Sequence, residues 1–387
     1  MTNRDVFSYC DCKVIDSHLH LSQANSADDS ITIYKNIFDY FDYERAALMV
    51  YQHDIDEKQF ADNAKALYIR DVFNKRYPDK KMYASGALYF NFDERDTSEG
   101  FLEQVKNLDW MGFDGVKILE GKLNLRRDIG RPIDDPVYDR FYEYIESREL
   151  PVTMHVAGPA ICWDPVNIPD SYRKAGWLAD SSVPPFLQFR SETEGLLRKF
   201  PKLRLILAHF FFISHDIENA VRIMETYPNV YFDLTPNGGM YADFSECPDE
   251  WHEFFVKYAD RILYGTDTYN TALTKDYPDY GSHPMNTRIN IVRSALEHTK
   301  PFEHARFGTI LPLYLDRDSL EKIYRTNFLK LFGDTPREVD YSSAYEYSQG
   351  LLVKYESGEF TSVSEERTQL DTSDLQIICK YFGNKLH

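Results

Sequence analysis

The sequence predicts an α/β fold, namely a (β/α)8 TIM barrel of residues 1–335 followed by a C-terminal appendage of residues 336–387. Three observations support this. Eight apolar runs of strand length recur along the chain, segments with helical spacing separate them, and residues able to carry chemistry stand at their ends. Near-continuous apolar runs suit strands buried on both faces of a parallel sheet, and their alternation with helices is typical of βαβ units. An open doubly wound sheet is the alternative, but no Gly-x-Gly-x-x-Gly follows the first run.

The eight runs are short and rich in Val, Ile, Leu, Phe or Tyr. In chain order they are "KVIDSHLHL" from residue 13, "RAALMVYQ" from 45, "KMYASGALYF" from 81, "GFDGVKIL" from 112, "LPVTMHVA" from 150, "LRLILAHF" from 203, "VYFDLTP" from 230 and "RILYGTD" from 261. Helical segments such as "SEGFLEQVKNLDW" lie between them, and helices continue to "SLEKIYRTNFLKLFG". Their number and spacing match a (β/α)8 barrel. The later residues are richer in Ser, Thr and Glu, and we expect them to pack on the barrel or to form an oligomer interface.

Composition restricts the classes of partner. The chain of 387 residues has a formal net charge of −18 and a sequence pI near 5.1, which argues against nucleic acid or an anionic membrane as a partner. An anionic small substrate would need a local exception to this charge. No apolar run approaches the roughly 20 residues that span a bilayer, and the first residues do not resemble a signal peptide. We therefore expect a cytoplasmic enzyme that acts on a small molecule. Its five cysteines are expected to be unligated, reduced thiols.

Residues able to bind metal or move protons stand at the ends of five of the runs. They are His18 and His20 on the first run, Lys117 on the fourth, His155 on the fifth, His209 on the sixth and Asp267 on the eighth. In a (β/α)8 barrel the active site forms where the carboxyl ends of the strands converge. His18 and His20 are two residues apart on a strand, so both rings should face the same side. A single His-x-His pair occurs by chance in many proteins, but the joint pattern predicts a metal site.

Two connections on the same side are too long for simple loops between a strand and a helix. The segment from Gly158 to about Arg190 contains Trp163, Trp177 and five prolines, and the segment "TYNTALTKDYPDYGSHP" follows the eighth run. Long ordered loops in compact domains are often functional. We therefore expect both segments to cover the active site.

The motifs "DSHLHL", "GVKIL", "MHVAG", "LAHF", "YGTD" and "YRTNFLKLFG" together resemble the amidohydrolase-related family. This branch of the amidohydrolase superfamily, also called amidohydrolase family 2, includes metal-dependent hydrolases and nonoxidative decarboxylases. The resemblance covers residues 13–334 and implies that His18, His20, His155 and Asp267 hold one divalent metal per chain. Zinc is the expected ion and manganese the alternative. His209 would then face the substrate, and Lys117 would be a polar support, or else a carboxylated bridge between two metals.

Three imidazoles and one carboxylate leave an open position on a zinc-like ion, as in catalytic sites. We expect a hydrolase in which metal-activated water attacks an ester, lactone or amide carbonyl. Asp267 would shuttle the proton, and His209 would donate a hydrogen bond to the oxyanion. The alternative is a nonoxidative decarboxylase of a small aromatic or unsaturated carboxylic acid. Candidate substrate-binding residues are Lys117, Trp163, Arg173, Tyr241 and Arg126. A barrel that only binds would have lost a ligand, and none is missing.

Overall fold

The chain folds into eight parallel strands that form a nearly closed barrel with helices between them, followed by a C-terminal helical extension. The computed structural model describes residues 10–21, 25–52, 57–91, 95–269, 284–305, 307–360 and 372–387. The eight parallel strands and the helices between them confirm the predicted (β/α)8 fold. No helix within these ranges is long and apolar enough to cross a membrane.

Each predicted run contains a strand of the barrel. The strands are β1 (Ile15–His20), β2 (Arg45–Met49), β3 (Lys81–Ala87), β4 (Gly115–Lys122), β5 (Val152–Ala157), β6 (Leu205–Leu207), β7 (Val230–Asp233), β8 (Ile262–Leu263) and β9 (Thr268–Tyr269). Consecutive strands from β1 to β8 are neighbours, and β9 pairs in parallel with β1. The eighth run thus supplies β8 alone, and β9 opens the segment after that run, which was predicted to cover the active site; residues 264–267 separate the two strands. This interruption places Asp267 directly beside the end of β1.

In the described part of the chain, ten α-helices fall between the strands of the barrel, as their spacing predicted, and five follow the last of these strands. They are α1 (Ala27–Tyr40), α2 (Asp62–Arg76), α3 (Ser98–Met111), α4 (Leu123–Ile129), α5 (Asp139–Ser147), α6 (Asp170–Lys174), α7 (Phe186–Lys199), α8 (Ile217–Thr226), α9 (Met240–Glu246), α10 (Pro248–Lys257), α11 (Pro284–Glu297), α12 (Arg317–Glu321), α13 (Asn327–Phe332), α14 (Tyr341–Glu356) and α15 (Ser373–Gly383). A short antiparallel pair, β10 (Phe302–His304) and β11 (Gly308–Ile310), follows α11.

The end of the barrel at which the strands begin is filled by apolar side chains. Ile15, Ala47, Tyr83 and Leu263 pack there against residues of α13, and the rings of Tyr83 and Phe328 lie 5.0 Å apart. The larger core fills the layer between the strands and the surrounding helices. This packing closes one end of the barrel, so that polar groups gather at the other.

Two register shifts interrupt the regular alternation of side chains. One lies between Asp16 and Leu19 of β1, relative to β2, and the other between Ile118 and Gly121 of β4, relative to β5. Such bulges are frequent beside active sites, because the extra residue redirects the side chains that follow it. On simple alternation, Asp16 would share the interior face of His18 and His20. It instead pairs with Ala46 of the outer core and accepts hydrogen bonds from Thr266.

The C-terminal extension packs on the outside of the barrel. The Tyr355 hydroxyl of α14 donates a hydrogen bond to the Glu57 carbonyl (2.7 Å). The Asp374 carboxylate of α15 accepts from the Ala27 amide at the start of α1 and lies 3.0 Å from the Lys65 ammonium. The extension therefore buries the outer faces of the first helices, on the side of the barrel wall.

Candidate active site

A cavity of about 370 Å³ opens at the carboxyl ends of the strands. This volume is within the usual range for a small-molecule site. The segment after β5, predicted to cover the site, contributes Gly158, Pro159, Cys162, Ser171, Tyr172, Ala175 and Trp177 to its walls. The other segment predicted to cover it lies mostly outside the described residues, since 270–283 are not among them.

Three of the predicted metal ligands converge at the floor of the cavity. Ligand atoms of His18, His20 and Asp267 lie within 4.8 Å of one another, and all three side chains are buried. Nε2 of His18 is 3.1 Å from Nε2 of His20, which in turn is 2.7 Å from Oδ1 of Asp267. His18 and His20 face the same side because they are two residues apart on β1, and Asp267 lies beside them because β9 pairs with β1. The three donor atoms therefore point to one place. We refer to them as the metal-type group.

Asp233, at the end of β7, orients His18. Its Oδ2 accepts a hydrogen bond from Nδ1 of His18 (2.7 Å), so that the other ring nitrogen faces the metal-type group. Its Oδ1 accepts from the backbone amide of His209 (2.7 Å) and from the Thr235 hydroxyl. The strand-end rule applied to "VYFDLTP" could have identified Asp233, because Asp233 closes that strand.

The electrostatics of the floor favour neutral imidazoles. Burial, assisted by the charge of Lys117, lowers the pKa of His18 to about 3, and burial also lowers the pKa of His20. Burial alone would raise the pKa of Asp233, but His18 holds it well below its usual range. A neutral ring that donates from Nδ1 to a carboxylate presents a lone pair at Nε2, which is the form that binds metal. The donor set therefore fits a divalent ion.

Lys117 lies at the same floor. Its Nζ is 3.0 Å from Nε2 of His18 and donates a hydrogen bond to it. Burial lowers the pKa of Lys117 to about 8, although Asp233 and Asp267 oppose that shift. The side chain therefore contacts the atom through which His18 would bind a metal ion.

His155 and His209 form a second pair of imidazoles beside this group, with ring centroids 4.8 Å apart. Nε2 of His155 lies 3.1 Å from the Ala157 carbonyl, and Nδ1 of His209 lies 3.2 Å from the Thr235 carbonyl. A carbonyl only accepts, so these nitrogens donate. His155 thus faces the cavity but is not part of the metal-type group among the described residues. Neutral His209 offers an acceptor to the cavity, so the predicted oxyanion hydrogen bond would require its protonated form.

The backbone that presents these groups is strained. Four consecutive residues, His209 to Phe212, adopt positive φ between 52° and 56°, and Asp267 does so at 58°. Left-handed conformations cost roughly 1–2 kcal/mol per residue without glycine and concentrate at functional sites. The carboxylate of Asp233, which binds the His209 amide, and the burial of Phe210 in an aromatic cluster hold this turn in place.

Four of the five predicted substrate-binding residues lie outside the described lining of the cavity, and Lys117 is the exception. Arg126 forms a buried two-point ion pair with Glu192. The Trp163 indole donates to the Pro184 carbonyl, and Arg173 is exposed and donates to the Pro165 carbonyl. The Tyr241 hydroxyl donates to the Leu234 carbonyl (2.6 Å). These side chains support the loops around the cavity, and their contact with substrate stays a prediction.

Other residues form the walls. Tyr51, Tyr172, Trp177 and Phe212 supply aromatic rings, and Lys122 adds a second cation. The ring of Tyr51 stacks edge-on against His20, with centroids 4.5 Å apart. Lys122 follows directly after the "GVKILEG" part of β4, so its closeness to Lys117 was visible in the sequence, but its orientation depends on the register shift.

Comparison with known proteins places the chain in a family. A family model described as Amidohydrolase matches residues 15–333, while no curated protein sequence matches significantly. Solved structures with a similar fold include 4-oxalomesaconate hydratase from Rhodopseudomonas palustris (13% identity, 89% of this chain and 99% of that chain, TM-score 0.49). Others are 2,6-dihydroxybenzoate decarboxylase from Rhizobium (16%, 83% and 98%, 0.48) and a manganese-containing dihydroxybenzoic acid decarboxylase from Polaromonas (14%, 83% and 97%, 0.44). Because the family model spans most of its length, the chain belongs to the amidohydrolase family.

Proposed function

We propose that the protein is a metal-dependent hydrolase that cleaves an ester, lactone or amide bond of a small molecule. The observation that carries the proposal is the convergence of His18, His20 and Asp267 at the floor of a closed-ended cavity. Two neutral imidazoles and a carboxylate, buried together and open to a cavity on one side only, are typical of a catalytic metal site.

His18, His20 and Asp267 would hold the ion, with His155 as a fourth ligand once its ring leaves the Ala157 carbonyl. We expect one zinc per chain, with manganese as the alternative, because imidazole and carboxylate ligands suit both ions. When bound, a divalent ion polarises a carbonyl oxygen and lowers the pKa of water toward about 7.

The protein residues would move the protons. Asp267 lines the cavity and would accept the proton of the attacking water, then return it to the leaving group. His209, fixed by the Thr235 carbonyl, would take up a proton from solvent at its second nitrogen before the reaction and, while charged, donate a hydrogen bond to the developing oxyanion. Asp233 would keep His18 in one orientation throughout.

Decarboxylation is the second candidate, and the composition of the walls favours it. Tyr51, Trp177 and Phe212 provide apolar aromatic surface, and Lys117 and Lys122 provide positive charge, which together suit a flat carboxylic acid. In that reaction Asp267 or His209 would first take up a proton from solvent and then donate it to the carbon that loses carbon dioxide, and water would not attack.

The two reactions differ in their products. We would measure metal content and then screen two panels, one of esters, lactones and amides and one of aromatic and unsaturated carboxylic acids, for release of acid and of carbon dioxide. Acid release from the first panel is the expected result. Carbon dioxide release without hydrolysis would overturn the proposal in favour of the lyase.

The variant Asp267→Asn should lose turnover by roughly a hundredfold or more, as removal of a general acid–base group does. Asp260→Asn is the matched control, because Asp260 is exposed and precedes β8 at the opposite end of the barrel. Activity that survives in the Asp267 variant at the level of the control would show that the metal-type group is not the site of reaction.

A further inference from the structure

The lining of the cavity contains more lysines than carboxylates, whereas the molecule as a whole is strongly acidic. The formal net charge is −18, yet the charged side chains among its described lining residues are Lys117, Lys122 and Asp267, besides the histidines. Asp267 belongs to the metal-type group, so a bound divalent ion would leave the cavity more positive still. A concave site of one sign concentrates ligands of the opposite sign. The walls are therefore suited to an anion.

Lys122 reaches the cavity because of the register shift in β4. Lys117 and Leu119 line the cavity, so regular alternation would turn residue 122 toward the helices. The shift between Ile118 and Gly121 pairs Lys122 with Ala157, which also lines the cavity. A Cβ atom at Gly121 would lie only 2.7 Å from the α-carbon of Val156, so glycine permits this close approach of the two strands.

The two lysines occupy different depths. Lys117 is 2% exposed and donates to His18, within the metal-type group. Lys122 is half-buried, and its Nζ lies 6.0 Å from the centre of the Tyr51 ring. Tyr51 in turn contacts His20, so one aromatic ring connects Lys122 with the floor.

We infer that Lys122 binds a carboxylate of the substrate that is remote from the reacting carbon, while the rings of Tyr51, Trp177 and Phe212 hold a flat apolar body between that carboxylate and the floor. The inference rests on the proposed function and narrows its substrate class to small, largely apolar molecules that carry an acid group in addition to the group that reacts. It holds for hydrolysis and for decarboxylation alike.

Calorimetric titration of the purified full-length protein with terephthalate and benzoate tests the inference, because the two probes differ only in the second, remote carboxylate. The wild type should bind terephthalate about tenfold more tightly than benzoate, as expected for one charge-assisted hydrogen bond. Lys122→Met should remove this preference while leaving benzoate binding unchanged, Lys122→Arg should keep most of it, and Lys122→Glu should reverse it. Lys174→Met is the matched control, since Lys174 is exposed on α6 and does not line the cavity.

The inference is overturned if the wild type shows no preference, if Lys122→Met retains it, or if that variant weakens both probes equally. Thermal denaturation of each variant establishes that it is folded, and the charge-reversing and arginine variants supply the answer should the methionine variant not fold. Metal content and product release are measured on the same preparations. A preference for terephthalate without metal or turnover would reject the proposed function alone, and turnover without the preference would reject only the role of Lys122.

Discussion

Asp233 determines which nitrogen of His18 is left for a metal ion. A carboxylate 2.7 Å from Nδ1 fixes the tautomer and the ring orientation, and the same carboxylate holds the strained turn that carries His209. One side chain thereby links a residue of the metal-type group to the residue proposed to stabilise the oxyanion. Carboxylate partners of this kind raise the basicity of a ligating imidazole and restrict its motion.

Replacement of Asp233 by Asn should weaken metal binding by about 10- to 100-fold, because the amide no longer imposes one tautomer on His18. Metal affinity is measured by competition with a chromophoric chelator, and circular dichroism checks that the barrel is intact. Asp243→Asn is the control, since Asp243 is a partly buried carboxylate that accepts from Ser214 and stands apart from the metal-type group. Equal metal affinity in the Asp233 variant and the wild type would contradict the orienting role.

The sequence predicted the convergence of His18, His20 and Asp267 because strand ends meet at one mouth, whatever the details of packing. The sequence did not predict which groups the ends of long side chains contact. Arg126 is neutralised by Glu192, 66 residues away, and no local pattern reveals such a partner. The ring of His155 turns toward a carbonyl two residues along its own strand, which is a choice of rotamer that spacing alone does not determine.

At the scale of elements, apolar runs were sufficient to locate all eight strands, because a strand buried on both faces must consist mostly of apolar residues. The two register shifts could not be predicted from the sequence. An extra residue in one strand exists only relative to the strand with which it pairs, and the pairing is not visible in the sequence of a single strand. The shift in β4 turns Lys122 toward the cavity, while Glu120 of the same strand is buried beside Tyr138 and Tyr142. Neither carboxylate oxygen of Glu120 has a hydrogen-bond partner in the described part of the chain.

Glu120 makes stability depend on pH. Burial raises the pKa of Glu120 from 4.5 to about 8, so the folded chain retains a proton that the unfolded chain releases above pH 4.5. The contribution of protonated Glu120 to the free energy of unfolding is therefore fully present below about pH 4.5. That contribution is lost as pH rises from there toward 8. Glu120→Gln should become progressively more stable than the wild type across this window, with a slope of at most about 1.4 kcal/mol per pH unit.

Chemical denaturation at pH 5, 6.5 and 8 measures this difference. The control is Glu143→Gln on α5, because Glu143 is exposed and the same charge is removed. A difference between the Glu120 variant and the wild type that stays constant over the three pH values would show that Glu120 is ionised in the folded chain.

At the scale of the molecule, the barrel and the C-terminal extension share their buried surface. The residues after 335 are richer in Ser, Thr and Glu, which indicated a separate segment. This composition left open whether the extension packs on the barrel. Hydrogen bonds that join α14 and α15 to Glu57, Ala27 and Asp71 show that it does so within one chain. Such long-range contacts depend on the folded shape of the first helices, and hence could not be predicted from the appendage alone. Whether copies of the chain also associate stays a prediction.

These contacts imply that the extension and the barrel unfold together. Phe382 of α15 is fully buried and packs near Tyr341 and Tyr381, so Phe382→Ala should cost about 3–5 kcal/mol of unfolding free energy through the cavity that it leaves. Leu386→Ala is the control in the same extension, because Leu386 is 44% exposed and its loss should change stability by about 0.5 kcal/mol or less. We expect a single denaturation transition, shifted as a whole, when circular dichroism of the whole chain and fluorescence of the tryptophans, all of which lie in the barrel, are followed together. Two separate transitions, of which Phe382→Ala shifts only the smaller, would mean that the extension folds independently, and the packing of α15 on α2 would then add nothing to the stability of the strands that hold the metal-type group.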